Sequence, residues 1–232
     1  MARGDWKQLG DSWERLGTVT ALHDGLYAAC DAAIWKIDDT GAYTQLGDDE
    51  WRTRFLIGVA GHLVAIEPDG RIYRIDPRDA SYVELDGSWD GAIAACAGGD
   101  AVFVIDRAGD LYRVEPADGS YHQLGDGYED TIGLTAAGGA LVTFDAGGAM
   151  FRISAKDGSW DRVANGWAGL RAAAGDDRAA YGACGDTLYA VDVQTGDYEG
   201  LTDTTWASTH LVVRDGALHV FEPSGGLYRI EL

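Results

Sequence analysis

The sequence predicts an all-β fold, a six-bladed β-propeller of four-stranded antiparallel blades, and two features of the chain carry that expectation. The first is a periodic aromatic column: Trp13, Trp51, Trp89, Tyr128, Trp167 and Trp206 recur at intervals of 38 or 39 residues. The second is that two further aromatic columns keep the same register. Trp35, Tyr73, Tyr112, Phe151, Tyr189 and Tyr228 lie in x-L-Y-R-I-D-type segments. Trp6, Tyr43, Tyr82, Tyr121, Trp160 and Tyr198 open the segments usually written D-G-S-Y-x-x-L-G. Aromatics make up only 10% of the chain, so three columns in step over six copies mean one unit repeated six times. A period near forty residues, filled with short β-type runs and turns rather than helix pairs, is the mark of radial β architecture.

Residues 89 to 125 show the unit most clearly. Alternating apolar runs bounded by Gly, Pro and Asp place strand a at 92–97, strand b at 101–105, strand c at 110–115 and strand d at 120–124. The turns between them are Gly98-Gly99, Arg107-Ala108-Gly109 and Pro116-Ala117-Asp118-Gly119. Each suits a tight hairpin, because Gly and Asp tolerate positive φ and Pro presets the entry to a turn. Helical periodicity of useful length is absent.

The sixth copy ends at a strand c segment, Leu227 to Leu232, and has no strand d of its own. Asp5-Trp6-Lys7-Gln8-Leu9-Gly10 matches the strand d pattern of residues 119–125, so the N-terminal segment is expected to complete the last blade. That pairing ties both ends into one sheet and removes two exposed edges. A single domain spanning residues 1–232 follows, with repeats beginning near 13, 51, 89, 128, 167 and 206.

With 46% hydrophobic residues the chain builds a substantial core. It has no run of eighteen apolar residues, and Met-Ala-Arg-Gly-Asp lacks the apolar stretch of a signal peptide, so no membrane insertion and a cytoplasmic, monomeric protein are expected. Cys30, Cys96 and Cys184 have no metal-type spacing and read as free thiols. The net charge is −20, with three lysines against fifteen arginines. Neutralising phosphates needs the opposite sign, which disfavours nucleic acid and anionic membrane surfaces as partners. The acids cluster in turns, as at Asp48-Asp49-Glu50, and read as a solvated surface.

Strand direction alternates, so the b–c turns and the d–a connections share one face of the disc. The leading aromatics Trp13, Trp51, Trp89, Tyr128, Trp167 and Trp206 sit in d–a connections, and b–c turns bring Glu67, Asp106, Asp145 and Glu222 to the same face. An aromatic plane beside hydrogen-bond acceptors suits a sugar, whose C–H face stacks while its hydroxyls find partners. These ten residues form the candidate ligand site. The alternative roles are structural: a repeated Trp also serves as a wedge between blades, and turn acids also accept backbone N–H bonds. The strand c and strand d aromatics are expected in the core between sheets.

No zincin, nucleophile-elbow, P-loop or dinucleotide motif occurs, and the five histidines mostly occupy different repeat positions. No catalytic residue, cofactor or metal is expected, although carboxylates meeting at the axis would make a propeller enzyme.

Three segments carry a family resemblance: Leu124-Gly125-Asp126-Gly127-Tyr128, Phe221-Glu222-Pro223-Ser224-Gly225 and Thr187-Leu188-Tyr189-Ala190-Val191. Their pattern resembles the repeat of tachylectin-type propeller lectins, and tectonin-type lectins, six-bladed with a Trp in each short repeat, are similar too. Tachylectin repeats are longer and close a ring of five blades, whereas this chain has six shorter copies. The resemblance implies a non-catalytic module with one N-acetylated-sugar site per blade junction, built by the d–a connection, and a carbohydrate or glycoconjugate partner. The competing expectation from composition is a scaffold presenting an acidic disc to a basic protein.

Overall fold

Short β-branched and small-residue runs, most of them stopped by a glycine-containing turn, leave no segment long enough for a helix. The computed structural model describes residues 2–232, and every regular element in it is a strand. β1 (Trp6–Gly10) comes first. Blade 1 is then β2 (Leu16–Leu22), β3 (Gly25–Cys30), β4 (Ala33–Ile37) and β5 (Tyr43–Gln45). Blade 2 is β6 (Phe55–Val59), β7 (His62–Ile66), β8 (Ile72–Ile75) and β9 (Tyr82–Glu84). Blade 3 is β10 (Ala92–Gly98), β11 (Ala101–Asp106), β12 (Leu111–Val114) and β13 (Tyr121–Gly125). Blade 4 is β14 (Thr131–Ala137), β15 (Ala140–Asp145), β16 (Ala149–Ile153) and β17 (Trp160–Asn165). Blade 5 is β18 (Leu170–Gly175), β19 (Ala180–Cys184), β20 (Thr187–Val191) and β21 (Tyr198–Gly200). β22 (His210–Arg214), β23 (Ala217–Phe221) and β24 (Leu227–Glu231) begin blade 6.

Each blade is a four-stranded antiparallel sheet in chain order, except the last, whose order is β1-β24-β23-β22. Trp6 pairs with Ile230 and Lys7 with Arg229, so the N-terminal strand closes the ring as its sequence indicates. The first strand of each blade is innermost, and β2 packs against both β6 and β22, which completes the circle around an axial channel.

The core is a set of six clusters, one at each junction between neighbouring sheets. The junction of blades 2 and 3 holds Ile57, Val64 and Ile72 from one side and Val102, Val104 and Val114 from the other, with Trp89 between them. Strands b are almost fully buried because a blade lies on both faces. Val64, Ala65 and Ile66 in β7 and Val102, Val104 and Ile105 in β11 expose none of their surface.

Arginines add polar ties from blade to blade. Arg74 of blade 2 donates to the carbonyl of Ala117 in blade 3 at 2.7 Å. Arg152 of blade 4 reaches the Gln194 side chain of blade 5. Arg214 of blade 6 donates to the carbonyls of Leu22 and His23 in blade 1, at 3.0 and 2.9 Å.

Innermost strands have one unpaired edge, and at β6 part of that edge is satisfied by the preceding repeat. The N–H groups of Leu56 and Gly58 donate to the hydroxyls of Thr18 and Thr20, at 3.3 and 2.8 Å. In blades 1, 3, 4 and 5 the pairing of strand a with strand b shifts register near its start, between Leu16 and Thr18, Ala92 and Ala94, Thr131 and Gly133, and Leu170 and Ala172. Such β-bulges turn the extra residue out of the ladder. Here those residues are Gly17, Ile93, Ile132 and Arg171.

Candidate functional site

The three aromatic columns converge in space. At five of the six junctions a leading aromatic, a strand c aromatic and a strand d aromatic meet and pack edge to face. Trp51 lies 5.5 Å from Tyr73 and 5.1 Å from Tyr82, ring centre to ring centre. Trp89 stands in the same relation to Tyr112 and Tyr121, Trp167 to Tyr189 and Tyr198, and Trp206 to Tyr228 and Trp6. At the first junction Tyr43 bridges Trp13 and Trp35. At the fourth, Phe151 packs on Trp160, while the Tyr128 hydroxyl turns to the carbonyl of Gly158. Perpendicular geometry sets the positive ring edge on the negative ring face, an arrangement worth about 0.5–1.5 kcal/mol per pair beyond burial.

The leading column does not offer the open stacking planes expected of it. Exposure of Trp13, Trp51, Trp89, Tyr128, Trp167 and Trp206 runs only from 2% at Trp167 to 8% at Tyr128. Each is a wedge. Its backbone N–H also clips the preceding blade, donating to the b–c turn carbonyls of Gly225, Ala32, Gly70, Gly109 and Gly148, and in the last case to that of Asp186. In blade 2 the two loops approach closely enough to need glycine: Gly70 has φ 90°, and a Cβ there would fall 2.4 Å from the Asp90 nitrogen.

The four acids are on the expected face but are turned into the backbone. Glu67 accepts from the N–H of Arg52 and the hydroxyl of Thr53, both at 3.1 Å, and Glu222 accepts from the N–H of Ala207 at 2.8 Å. Asp106 accepts from the N–H groups of Ala108 and Asp110, and Asp145 from that of Ala149. Burial pushes the Glu67 carboxyl above its ordinary range, against the hydrogen bonds that favour its anion. None of the four stands beside an open aromatic face.

The outer strand reverses the expectation in the other direction. Trp6, Tyr43, Tyr82, Tyr121, Trp160 and Tyr198 are not core but half exposed, from 46% at Trp6 to 59% at Tyr198. The reason is radial. Neighbouring sheets diverge away from the axis, so the space that a wedge fills at mid-radius opens to solvent at strand d. What results is a belt of six rim aromatics, five of them held edge-on by a buried aromatic of the leading column and the sixth, Trp160, held by Phe151. Two residues farther along each outer strand, on the same face by the period of a strand, come Gln8, Gln45, Glu84, Gln123, Arg162 and Gly200. Five of these six put a hydrogen-bonding side chain beside the ring. The repeat spacing reveals this column as readily as the leading one, but periodicity alone does not show which column lies at the greater radius.

At the axis, two hollows of about 220 and 330 Å³ join into one channel lined by the inner strands. Among the described residues no carboxylate lines it, and no group of three or more His, Cys, Asp or Glu side chains comes together for a metal ion. The carboxylate convergence that an axial-metal enzyme requires is therefore not formed. A larger hollow of about 710 Å³ lies on the opposite face between the hairpin tips of blades 3, 4 and 5, where Arg113 pairs with Asp100. The thiols are free, and burial pushes that of Cys96 on the channel wall up to about 12.

No protein-family model matches the chain, and no curated protein matches it in sequence. Solved structures do match in shape. A protein of unknown function from Bacteroides thetaiotaomicron superposes with a TM-score of 0.74 at 11% identity, covering 98% of this chain and 72% of that one. The WD40 repeats of RRP9 give a TM-score of 0.71 at 9% identity, covering 100% and 99%. The computationally designed Ika8 protein gives 0.62 at 14% identity, covering 94% and 71%. At such identities the likeness establishes the fold: the chain is a six-bladed β-propeller, an architecture that hosts many unrelated functions.

Proposed function

We propose that the protein is a non-catalytic carbohydrate-binding module whose sites are the six rim aromatics of the outer strands. The observation that carries this reading is the repetition of one arrangement at all six junctions. Each has a half-exposed ring fixed by a perpendicular aromatic beneath it, and five of the six have a polar side chain two residues along the same strand face. A rigid ring costs little ordering entropy on binding, and its open face suits the C–H side of a sugar while the amide or charged neighbour takes a hydroxyl. The sites are shallow, so each is weak, and six on one ring act together on a multivalent glycan.

A glycan array followed by titration with the best monovalent sugar tests the reading. More than one equivalent bound per chain is expected, with N-acetylated sugars the first to try. Tyr121→Ala is expected to remove one equivalent without unfolding the protein. Silence across the array, or binding unaffected by removal of several rim aromatics, overturns the proposal. In that event capture of a basic protein by the acidic disc would become the better account of the net charge of −20.

A further inference from the structure

The channel mouth on the d–a face differs in chemistry from the rest of this acidic molecule. The 330 Å³ hollow there is lined by Arg54 and Arg171, with His210, and by Phe55, Ile93 and Ile132. Blades 2 and 5 stand opposite each other in the ring, so the two arginines line the hollow from opposite sides. The apolar side chains of blades 3 and 4 form a wall between them. Arg171 and Ile132 are both bulge residues, turned out of the strand ladder at this level. Ile132 is left 46% exposed, and among the described residues Val83 is the one other large aliphatic side chain so exposed.

The charges at this mouth are not neutralised. Among the described residues Arg54 forms neither a hydrogen bond from its side chain nor an ion pair, and its guanidinium rests 5.3 Å from the centre of the Phe55 ring. Arg171 donates to two carbonyls, those of Trp206 at 2.7 Å and of Gly185, which orient the group without cancelling its charge. Of the b–c turn acids, Glu67 and Glu222 accept from backbone N–H groups, and Asp186, beside the Gly185 that Arg171 contacts, accepts from the Thr187 hydroxyl and forms no ion pair with Arg171 among the described residues. His210 is tied to the Gly17 carbonyl and the Thr209 hydroxyl, both at 3.1 Å.

We infer that this mouth binds one small amphipathic carboxylate, its anionic head between Arg54 and Arg171 and its apolar body against Phe55, Ile93 and Ile132. A carboxylate accepts bidentate bonds from a guanidinium. A hollow of this volume falls at the small end of ligand sites, and its mix of an apolar wall with a few convergent polar groups is their usual composition. The site is independent of the rim: it lies on the axis, so its stoichiometry is one per chain whatever the rim binds.

Isothermal titration of the intact protein with hexanoate and benzoate, at fixed ionic strength against chloride, tests the inference. One equivalent is expected for both, with acetate and inorganic phosphate weaker. Arg54→Gln should weaken binding roughly tenfold or more, the size of a lost charged hydrogen bond. Ile132→Asn should weaken hexanoate while sparing any residual binding of phosphate. Arg171→Gln is a second probe, with circular dichroism to check that loss of its two carbonyl contacts leaves the fold intact. Arg54, whose side chain forms no hydrogen bond or ion pair among the described residues, carries the test if it does not. The same affinity in the wild type and Arg54→Gln, no binding of either carboxylate at millimolar concentration, or phosphate binding as tightly as hexanoate would each overturn the assignment.

Discussion

The backbone N–H of Trp89 donates to the carbonyl of Gly70 at 2.8 Å, across the junction of blades 2 and 3. The indole thereby enters the core of two blades at once, where it is 4% exposed, while Tyr121, 5.0 Å away ring to ring, faces solvent. Trp89→Ala should cost about 3–5 kcal/mol, the usual range for removing a buried large aromatic. Tyr121→Ala, which removes a half-exposed ring and its edge-to-face contacts with Trp89 and Tyr112, should cost less, about 1–2 kcal/mol. Urea denaturation of the two variants measures the contrast, and equal losses would mean that wedge and rim share the load.

His219 supplies a pH dependence with a definite sign. It is buried in β23 with its Nδ1 lacking a hydrogen-bond partner among the described residues. Burial first, then the charges of Arg229 and Arg214, hold the imidazole down to about 4 from an ordinary 6.5. Between those values the unfolded chain takes up a proton that the native state refuses, so stability rises with pH. It is lost as pH falls from about 6.5 towards 4, by an amount on the order of 3 kcal/mol. Carboxylates with lowered native values, such as Asp76 beside Arg78, act at lower pH, from about 3.8 downward. Melting temperature against pH should therefore flatten between 6.5 and 4 in His219→Phe relative to the wild type. Parallel curves would show that His219 titrates normally.

The c–d turns place a residue of positive φ against the preceding blade, and Ala80, with φ 62°, takes that place in blade 2 where Gly41, Gly119, Gly158 and Gly196 serve blades 1, 3, 4 and 5. A Cβ in the left-handed region is strained, so Ala80→Gly is expected to stabilise the protein by roughly 0.5–1 kcal/mol. The reverse change at Gly119 would bring a Cβ to 2.3 Å from the Asp86 carbonyl oxygen and should cost more than about 1 kcal/mol. Thermal melts of the two single variants decide the matter, and a stabilising Gly119→Ala would refute the turn geometry.

Removal of residues 2–10 takes away the outer strand of blade 6 and with it the pairing of Trp6, Lys7 and Gln8 to Ile230, Arg229 and Tyr228. It also uncovers Trp206, against which Trp6 packs at 5.6 Å. A lower melting temperature and concentration-dependent association through the bared β24 edge should follow. Light scattering and calorimetry report both, and a truncated chain that melts like the intact one would contradict the closure.

Strand order, ring closure and turn positions were legible because each depends on local period. Strand a of blade 3 was expected at 92–97 and runs Ala92–Gly98, and Asp5–Gly10 marked out β1. The site was harder to read for a geometric reason. Trp89 and Tyr121 are both aromatics of fixed spacing, and what separates buried from exposed is distance from the axis, which a one-dimensional pattern does not encode. Arg54 and Arg171 illustrate the same limit. They sit one residue apart in the repeat, in copies three blades removed, and only closure of the ring brings them to one opening.

The pairing of Trp6 with Ile230 also orders events during synthesis. β1 leaves the ribosome before any of blades 1 to 5, yet its partner β24 is made after all of them. Complete blades can form and stack in succession while β1 waits with both edges unpaired. Lys7 places a charge within that waiting strand, a feature that discourages edge-to-edge joining with another chain. The ring becomes a ring only when β24 pairs with β1, so nascent chains are most exposed to misassembly in the interval just before β24 is made.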